Sequence, residues 1–189
     1  MSGEVIQVVT QRTTRWRMMV NEGTDEWVES SGPGLVIYLS FVNNTLDNGV
    51  GPIDCTRISR AVKSLMNAKL ATTSGWKTDH SDAVSISSLV ETNEPTHLVI
   101  IPQATLSGRL NPGDKYLKYH RQVDRVRSYQ LYCDFIRGIA EYMKSNEGID
   151  FSSNTHRIGD SLAVSWGSFG KRQGFEFASS GPSTHYFEF

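Results

Sequence analysis

Apolar and polar positions along the chain repeat with two periods, and each period predicts elements. Glu4 to Val20 (EVIQVVTQRTTRWRMMV) opens on β-branched residues and then alternates. That pattern puts Thr10, Arg12, Thr14 and Trp16 on one strand face and Val9, Gln11 and Thr13 on the other. Asn21 to Thr24 is a turn signal, and Glu26 to Ser30 returns as the second arm of a hairpin. Ser31-Gly32-Pro33-Gly34 reads as a break, after which Leu35 to Val42 (LVIYLSFV) is almost wholly apolar, as in a strand buried on both faces. Thr96 to Ile101 (THLVII) has the same character. Pro102 ends it by holding Ile101 extended and offering no amide hydrogen. Leu162 to Trp166 predicts a further strand, and two more flank Gly181-Pro182, built from Phe175, Phe177 and Tyr186 to Phe189.

Helical spacing appears twice. Ile58, Ala61, Val62, Leu65 and Met66 predict a helix ending near Leu70, which Asp54 or Thr56 can cap. A longer helix is predicted from about Gln122 to Lys144, with Val126, Tyr129, Cys133, Ile136, Ala140 and Met143 as its apolar stripe. Asn43 to Pro52 and Ile149 to Asp160 read as polar loops. Ala71 to Glu94 is Ser/Thr-rich with weak alternation at Asp82 to Ile86, and short strands or loops are expected there. No repeat or linker interrupts these patterns, so a single α+β domain over 1–189 is the economical expectation.

Composition narrows the class. With 189 residues, 38% apolar and 21% charged, the chain has an ordinary globular balance. No apolar run approaches the roughly 20 residues of a membrane span. The opening Met1-Ser2-Gly3-Glu4 lacks the basic-then-apolar pattern of a signal peptide. Cys55 and Cys133 both fall in helical patterns and are read as reduced thiols, which sets the expected location as the cytoplasm. A net charge of -1 argues against gripping a long polyanion by overall charge, but leaves local patches open. One such patch runs through Arg109, Lys115, Lys118, His120, Arg121, Arg125 and Arg127, interleaved with Tyr116 and Tyr119. It fits a nucleic-acid contact, and equally a solvated face balanced by Asp114 and Asp124.

Candidate chemistry is sparse. His80, His97, His120, His156 and His185 are scattered, neither cysteine has a partner at ligand spacing, and no metal or cofactor is expected. There is no Gly-x-Ser-x-Gly elbow and no Cys-His signature. Gly167-Ser168-Phe169-Gly170 is too short and too aromatic for a phosphate loop. Gln103-Ala104-Thr105 follows a buried strand, where amide hydrogens run out of sheet partners and become available to a ligand oxygen. A lone threonine hydroxyl is a weak nucleophile without a base, so Thr105 is expected to position rather than attack. Gly181-Pro182 lies in a turn, Ser179 to Ser183. Holding an X-Pro bond cis costs only about 0.5–1 kcal/mol, so such a turn can present two carbonyls unusually.

Five of these segments, in this order, resemble the D-aminoacyl-tRNA deacylases. Val8 to Thr13 resembles the family's opening Val-Val-Gln-Arg-Val-Thr strand, and Gly32-Pro33-Gly34-Leu35 to Leu39 its Gly-x-Gly-Leu strand. His97 to Leu106 resembles the strand leading into Ser-Gln-x-Thr-Leu, Gly167 to Gly170 a Gly-Arg-Phe-Gly element, and Ser179 to Thr184 an Asn-x-Gly-Pro-Val-Thr motif. Two departures stand out: Pro102 replaces the family serine, and Ser179 replaces the asparagine. Segments 43–53, 71–95 and 146–161 look longer than in compact members.

The resemblance implies twisted sheets in a partly closed barrel with two main helices, and hydrolysis of the ester joining a D-amino acid, or glycine by default, to the 3′ end of tRNA. It implies a homodimer in which a cis Gly181-Pro182 turn enters the partner's pocket as a chiral filter, with Arg12 buttressing the turn and Ser179 opening it. Gln103, Ala104 and Thr105 are the implied contacts to the ester, beside Pro102, and Phe169 the implied wall for the terminal adenine. Lys115, Lys118 and Arg121 are implied acceptor-stem contacts. The family chemistry is substrate-assisted, the ribose 2′-OH helping to activate water. Two alternatives stay open: an enzyme of relaxed chirality that edits glycine or an L-amino acid, favoured if Gly181-Pro182 is trans, and a non-catalytic nucleic-acid-binding protein of the same fold.

Overall fold

The computed structural model describes residues 3–21, 23–44, 51–73, 83–119 and 121–189, the side chain of Asn44 excepted. His80 and His120, most of the 43–53 loop, and Asp82 with part of the 71–95 segment lie outside the described residues. Two long strands, β1 (Gly3–Asn21) and β2 (Glu26–Asn44), form the predicted hairpin. Ser31 to Gly34 does not break β2. Pairing shifts from Thr13↔Gly34 to Arg15↔Ser31, so Gly32 and Pro33 bulge opposite Thr14, with Gly32 at φ +115°. The shift also moves the buried side chains of β1 from one sheet face to the other. Ile6 and Val8 join the main core, whereas Trp16 and Met18 join a second cluster with Val36, Val99 and Ile101. The strict alternation expected through Trp16 therefore fails at the bulge.

Helix α1 (Cys55–Asn67) is capped by Asp54, whose carboxylate accepts from the Arg57 amide, and it buries the five predicted apolar residues. Short strands β3 (Ala71–Thr72) and β4 (Ala83–Val84) pair. Helix α2 (Ile86–Glu91) follows, capped by Ser85, in a segment expected to hold only strands or loops. β5 (Thr96–Pro102) lies parallel to β2. A short 3-10 helix (Ala104–Ser107) leads away from it.

Helix α3 (Arg125–Tyr142), capped by Asp124, crosses back to β6 (Thr155–Ile158) and β7 (Leu162–Trp166). It buries the predicted Cys133, Ile136 and Ala140 together with Leu131, Tyr132, Phe135 and Ile139, whereas the predicted Val126 is 67% exposed and Tyr129 47%. The wider and shifted stripe follows from packing on two sides. Gly138 lets Ile58 and Val62 of α1 approach, where an added Cβ would lie 3.3 Å from Ile58, while the larger residues fill the main core. β6 lies in a segment expected to be loop; its burial is limited to Ile158 and part of His156, which leaves little periodic signal.

The sheet order is β6-β7-β5-β2-β1, with β8 (Phe175–Ala178) and β9 (Thr184–Glu188) sharing the outer edge of β1. β2, β5 and β7 are parallel, and the helices contribute to the main core on one face. The sheet is open, β6 at one edge and β8 with β9 at the other, so the partly closed barrel is not found among the described residues. No helix of the described residues is long and apolar enough to cross a membrane. Cys55 and Cys133 are free thiols.

On the face away from the helices, His97 is fully buried against Trp16, ring centroids 5.9 Å apart, and packs over Gly34. Neither ring nitrogen has a partner among the described residues, and burial lowers its pKa to about 4. The folded state therefore holds this imidazole neutral where the unfolded chain, with a pKa near 6.5, binds a proton. Stability from this group is complete above pH 6.5 and falls as the pH drops towards 4, by about 3 kcal/mol in all. Urea unfolding between pH 7.5 and 4.5 will show a shallower fall for His97→Leu than for the unaltered protein. Parallel curves would remove His97 as the cause.

Candidate active site at the carboxyl ends of the parallel strands

Parallel strands joined by helical crossovers leave their carboxyl ends free of covering elements, and such ends are the usual ligand position in open sheets. Here those ends belong to β2, β5 and β7. A cleft of about 210 Å³ opens among them, lined by Leu39, Phe41, Pro102, Gln103, Ala104, Gln122, Val123, Arg125, Ser128 and Phe169. Four sequence-predicted residues, Pro102, Gln103, Ala104 and Phe169, meet in it.

The Gln103 amide donates to Leu39 O at 2.8 Å, continuing the β2–β5 ladder one step past Pro102. The chain then turns into the 3-10 helix, and the amides of Ala104 and Thr105 find no backbone acceptor among the described residues. The Gln103 carboxamide donates to Thr105 Oγ1 at 2.6 Å, so Thr105 holds Gln103 in place. Thr105 itself is exposed and outside the cleft wall. Gln122 donates to Ala104 O at 3.1 Å, and Ser128 Oγ donates to Val123 O at 2.9 Å.

The opposite wall is aromatic. Phe169 lies edge-on to Tyr129 and tilted against Tyr132, both with centroids 5.6 Å away. The buried Tyr132 hydroxyl shares its proton between Ile100 O at 2.9 Å and Gly167 O at 3.0 Å, tying the ends of β5 and β7 together. Burial raises its pKa well above the ordinary phenol value, so it stays protonated and donating. Arg125, at the start of α3, reaches the loop after Phe169: a Cβ at Gly170 would lie 2.8 Å from its guanidinium.

The Gly181-Pro182 turn is elsewhere in the chain. It joins β8 to β9, and β1 and β2 separate it from the strand end that carries Gln103. Three strand spacings of about 4.8 Å put the two on the order of 15 Å apart. No described peptide bond is cis, so Gly181-Pro182 is trans, correcting the implied cis turn. Gly181 has φ +137°, and a Cβ there would meet nothing within 4 Å of its own chain.

Ser179 Oγ donates to Gly181 O at 2.6 Å, so the serine ties one turn carbonyl where the family motif has an asparagine. The Arg12 amide donates to Ser183 O at 3.3 Å, whereas its guanidinium Nε is buried without a partner among the described residues. The side-chain props are its neighbours. Gln11 donates to Ser179 Oγ and accepts from Thr184 Oγ1, and Thr13 donates to Ala178 O at 2.9 Å. Of the basic trio, Lys118 is paired with Asp114 at 2.7 Å, Lys115 is exposed, and Arg121 O accepts from the Asn43 amide. None of the three lines the cleft.

Gln122, Arg125, Ser128, Gln11 and Thr13 were missed as site residues. Gln11 and Thr13 stand in a motif already singled out, but only pairing with β8 and β9 reveals their targets. Among the described residues no group of three His, Cys, Asp or Glu could hold a metal ion.

A family model described as D-Tyr-tRNA(Tyr) deacylase matches residues 8–188. A Homo sapiens protein named D-aminoacyl-tRNA deacylase 2 is 29% identical over 164 residues, covering 87% of this chain and 80% of that protein. A solved structure described as a probable eukaryotic D-amino acid tRNA deacylase superposes with a TM-score of 0.73 at 23% identity, covering 98% of this chain and all of the other. A second, a c-Myc DNA unwinding element binding protein, superposes with a TM-score of 0.60 at 16% identity over 96% of this chain. At those identities the two structures bear on fold alone.

Removing the Tyr132 hydroxyl takes a donor from the buried Gly167 carbonyl, while Ile100 O keeps the Gly167 amide at 2.9 Å. Tyr132→Phe is expected to lower stability by about 1–3 kcal/mol in urea unfolding. A change under a few tenths would mean that the hydroxyl does not tie the strand ends.

Proposed function

The chain belongs to the D-Tyr-tRNA(Tyr) deacylase family, and from that premise we propose that it hydrolyses the ester joining a D-amino acid to the 3′ end of tRNA, with glycyl-tRNA accepted by default. The observation carrying this reading is the cleft at the strand ends, where Gln103 and Ala104 share the lining with Phe169 and the amides of Ala104 and Thr105 find no backbone acceptor among the described residues. The terminal adenine would lie on Phe169 and the ester carbonyl at the two amides. Water adds to that carbonyl, the amides hold the developing oxyanion, and the bond to the ribose 3′-oxygen breaks as that oxygen takes a proton. Among the described residues, the side chains lining the cleft include no carboxylate or imidazole base. This supports activation of the water by the substrate's own 2′-OH, with Thr105 orienting Gln103.

The separation of Gly181-Pro182 from the cleft supports a homodimer in which each turn completes the other chain's site. Pro182 is exposed, and the space around Gly181 is open within its own chain. In that arrangement the turn backbone discriminates at the α-carbon, and Gln11, Arg12 and Thr13 hold it. A second reading has a specific observation behind it. The trans turn, with one carbonyl tied by Ser179, aims its oxygens differently from a cis turn. That favours relaxed chirality, in which an L-aminoacyl ester mischarged on tRNA is also removed.

Hydrolysis of D-tyrosyl-tRNA, L-tyrosyl-tRNA and glycyl-tRNA, measured side by side at one low enzyme concentration, tests both readings. Loss of the D and glycyl esters alone supports the first. Cleavage of the L ester supports the second, and no cleavage of any removes the hydrolase. Thr105→Val is expected to keep kcat within about tenfold of the unaltered enzyme, since no bond to a threonine oxygen is made. Complete loss with intact folding would make Thr105 a participant. Gly181→Ala forces an L residue to φ +137°, strain of roughly 1–2 kcal/mol. Its kcat/KM on the preferred ester should fall at least about tenfold; undiminished activity would dismiss the turn as a filter.

A further inference from the structure

A second cleft, of about 890 Å³, opens at the β1–β2 hairpin beyond the bulge and is separate in its lining from the one at the strand ends. Register puts Arg157 on the same sheet face as Trp16, whereas Arg15 and Arg17 alternate with Trp16 and belong to the other face. Arg157 pairs with Ala163, Ala163 with His97, His97 with Gly34, and Gly34 with Thr13, so all five residues of this row share a face. The His97 ring fills the space over Gly34, where an added Cβ would lie 2.4 Å from its Cδ2. Trp16 packs against His97, is 3% exposed and lines the cleft, and its indole N–H has no acceptor among the described residues.

Three arginines stand around it: Arg15, Arg17 and Arg157. Arg17 is occupied. Both its Nε and a terminal nitrogen donate to Glu176 at 2.8 Å, its guanidinium lies 4.6 Å from the centre of the Trp27 ring, and Glu29 is also in its field. Arg15 and Arg157 form no ion pair within 4 Å among the described residues, although Arg15 stands in the field of Glu176. The hydroxyls of Ser30 and Ser31 add further donors, and Phe177, 43% exposed and stacked on Phe175, adds an open ring face.

Two unpaired guanidiniums, hydroxyl donors and an orphaned indole N–H beside an exposed ring match a phosphodiester strand whose bases stack. We propose that this cleft, through Arg15 and Arg157, binds the phosphodiester backbone of the RNA whose 3′ end enters the deacylase pocket. The placement rests on the dimeric reading given above. Glu176 and Phe177 line the cleft on β8, which runs directly into the Ser179–Ser183 turn, so a turn reaching the partner's pocket brings the cleft beside that pocket's mouth. The basic 109–127 segment is then a separate surface.

The test is binding of uncharged tRNA to the full chain by fluorescence anisotropy across a salt series. Each phosphate contact contributes a slope of roughly 0.7–0.9 in log K against log salt, so Arg15→Gln/Arg157→Gln should flatten the slope by about 1.4–1.8. Lys63→Gln/Lys69→Gln, two exposed lysines of α1 and the residues after it, removes the same charge elsewhere and should leave the slope unchanged. Arg15→Lys/Arg157→Lys should restore it in large part. An unchanged slope in the arginine variant, or an equal fall in the lysine control, overturns the proposal. So does unchanged tRNA binding with a changed sedimentation coefficient, which would make the cleft a contact between copies. Hydrolysis by the unaltered protein is scored separately: binding with this slope but no cleavage removes the deacylase and leaves the RNA cleft standing.

Discussion

The parallel pairing of β2 with β5 and of β5 with β7 constrains everything else in this molecule. A parallel neighbour cannot be reached by a tight turn. The chain must cross over the sheet, and it does so through α1 and α2 and then through α3. Those crossovers supply the main core, and they oblige each strand to stop with its carboxyl end uncovered. Pro102 and the Tyr132 hydroxyl act at that edge, one stopping the ladder and the other clasping two of the strands that end there. The cleft is the space left over, and its amide donors are what remains when a ladder has no further partner.

The antiparallel half of the sheet answers to a different demand. β1 must offer one edge to β2 and the other to β8 and β9 in succession, with the turn between those two spanning the stretch near Arg12 to Thr14. The bulge at Gly32 and Pro33 falls opposite that same stretch. There the strand changes which face it buries, and Thr13 is freed to donate to Ala178 O rather than pack in a core. Bulge, turn and second cluster are three expressions of one register shift.

Much of this was legible in the residues. The buried strands LVIYLSFV and THLVII, the hairpin, and the spacing of Ile58 to Met66 announce themselves because each has a single face, or both, committed to apolar neighbours. Where an element packs on two sides the period blurs. α3 answers to α1 and to the main core together, so its true stripe is wider than the predicted one and shifted from it, which leaves Val126 and Tyr129 in water. α2 and β6 bury too few residues to leave a period. In the site, Gln103, Ala104 and Phe169 were readable because they stand in short motifs beside strand ends. Gln122, Arg125 and Gln11 were not, since their relevance depends on which distant backbone atom lies opposite. A peptide bond's isomer leaves no trace in composition, and Gly181-Pro182 reads alike in either form.

The edge formed by β8 and β9 has a consequence in time. Its residues pair with positions more than 150 earlier in the chain, such as Glu188 with Gln7 and Ala178 with Arg15. Contacts of that span close late, after hairpin and helices have already collapsed on one another. They also sit at the rim, where opening to solvent costs a fraction of global unfolding. The molecule thus acquires its core first and the turn proposed as its selector last. Under that proposal, a brief detachment of the final strands would suspend discrimination while the cleft kept its shape. Fidelity is then set by how seldom that rim breathes, a quantity separate from the stability of the fold.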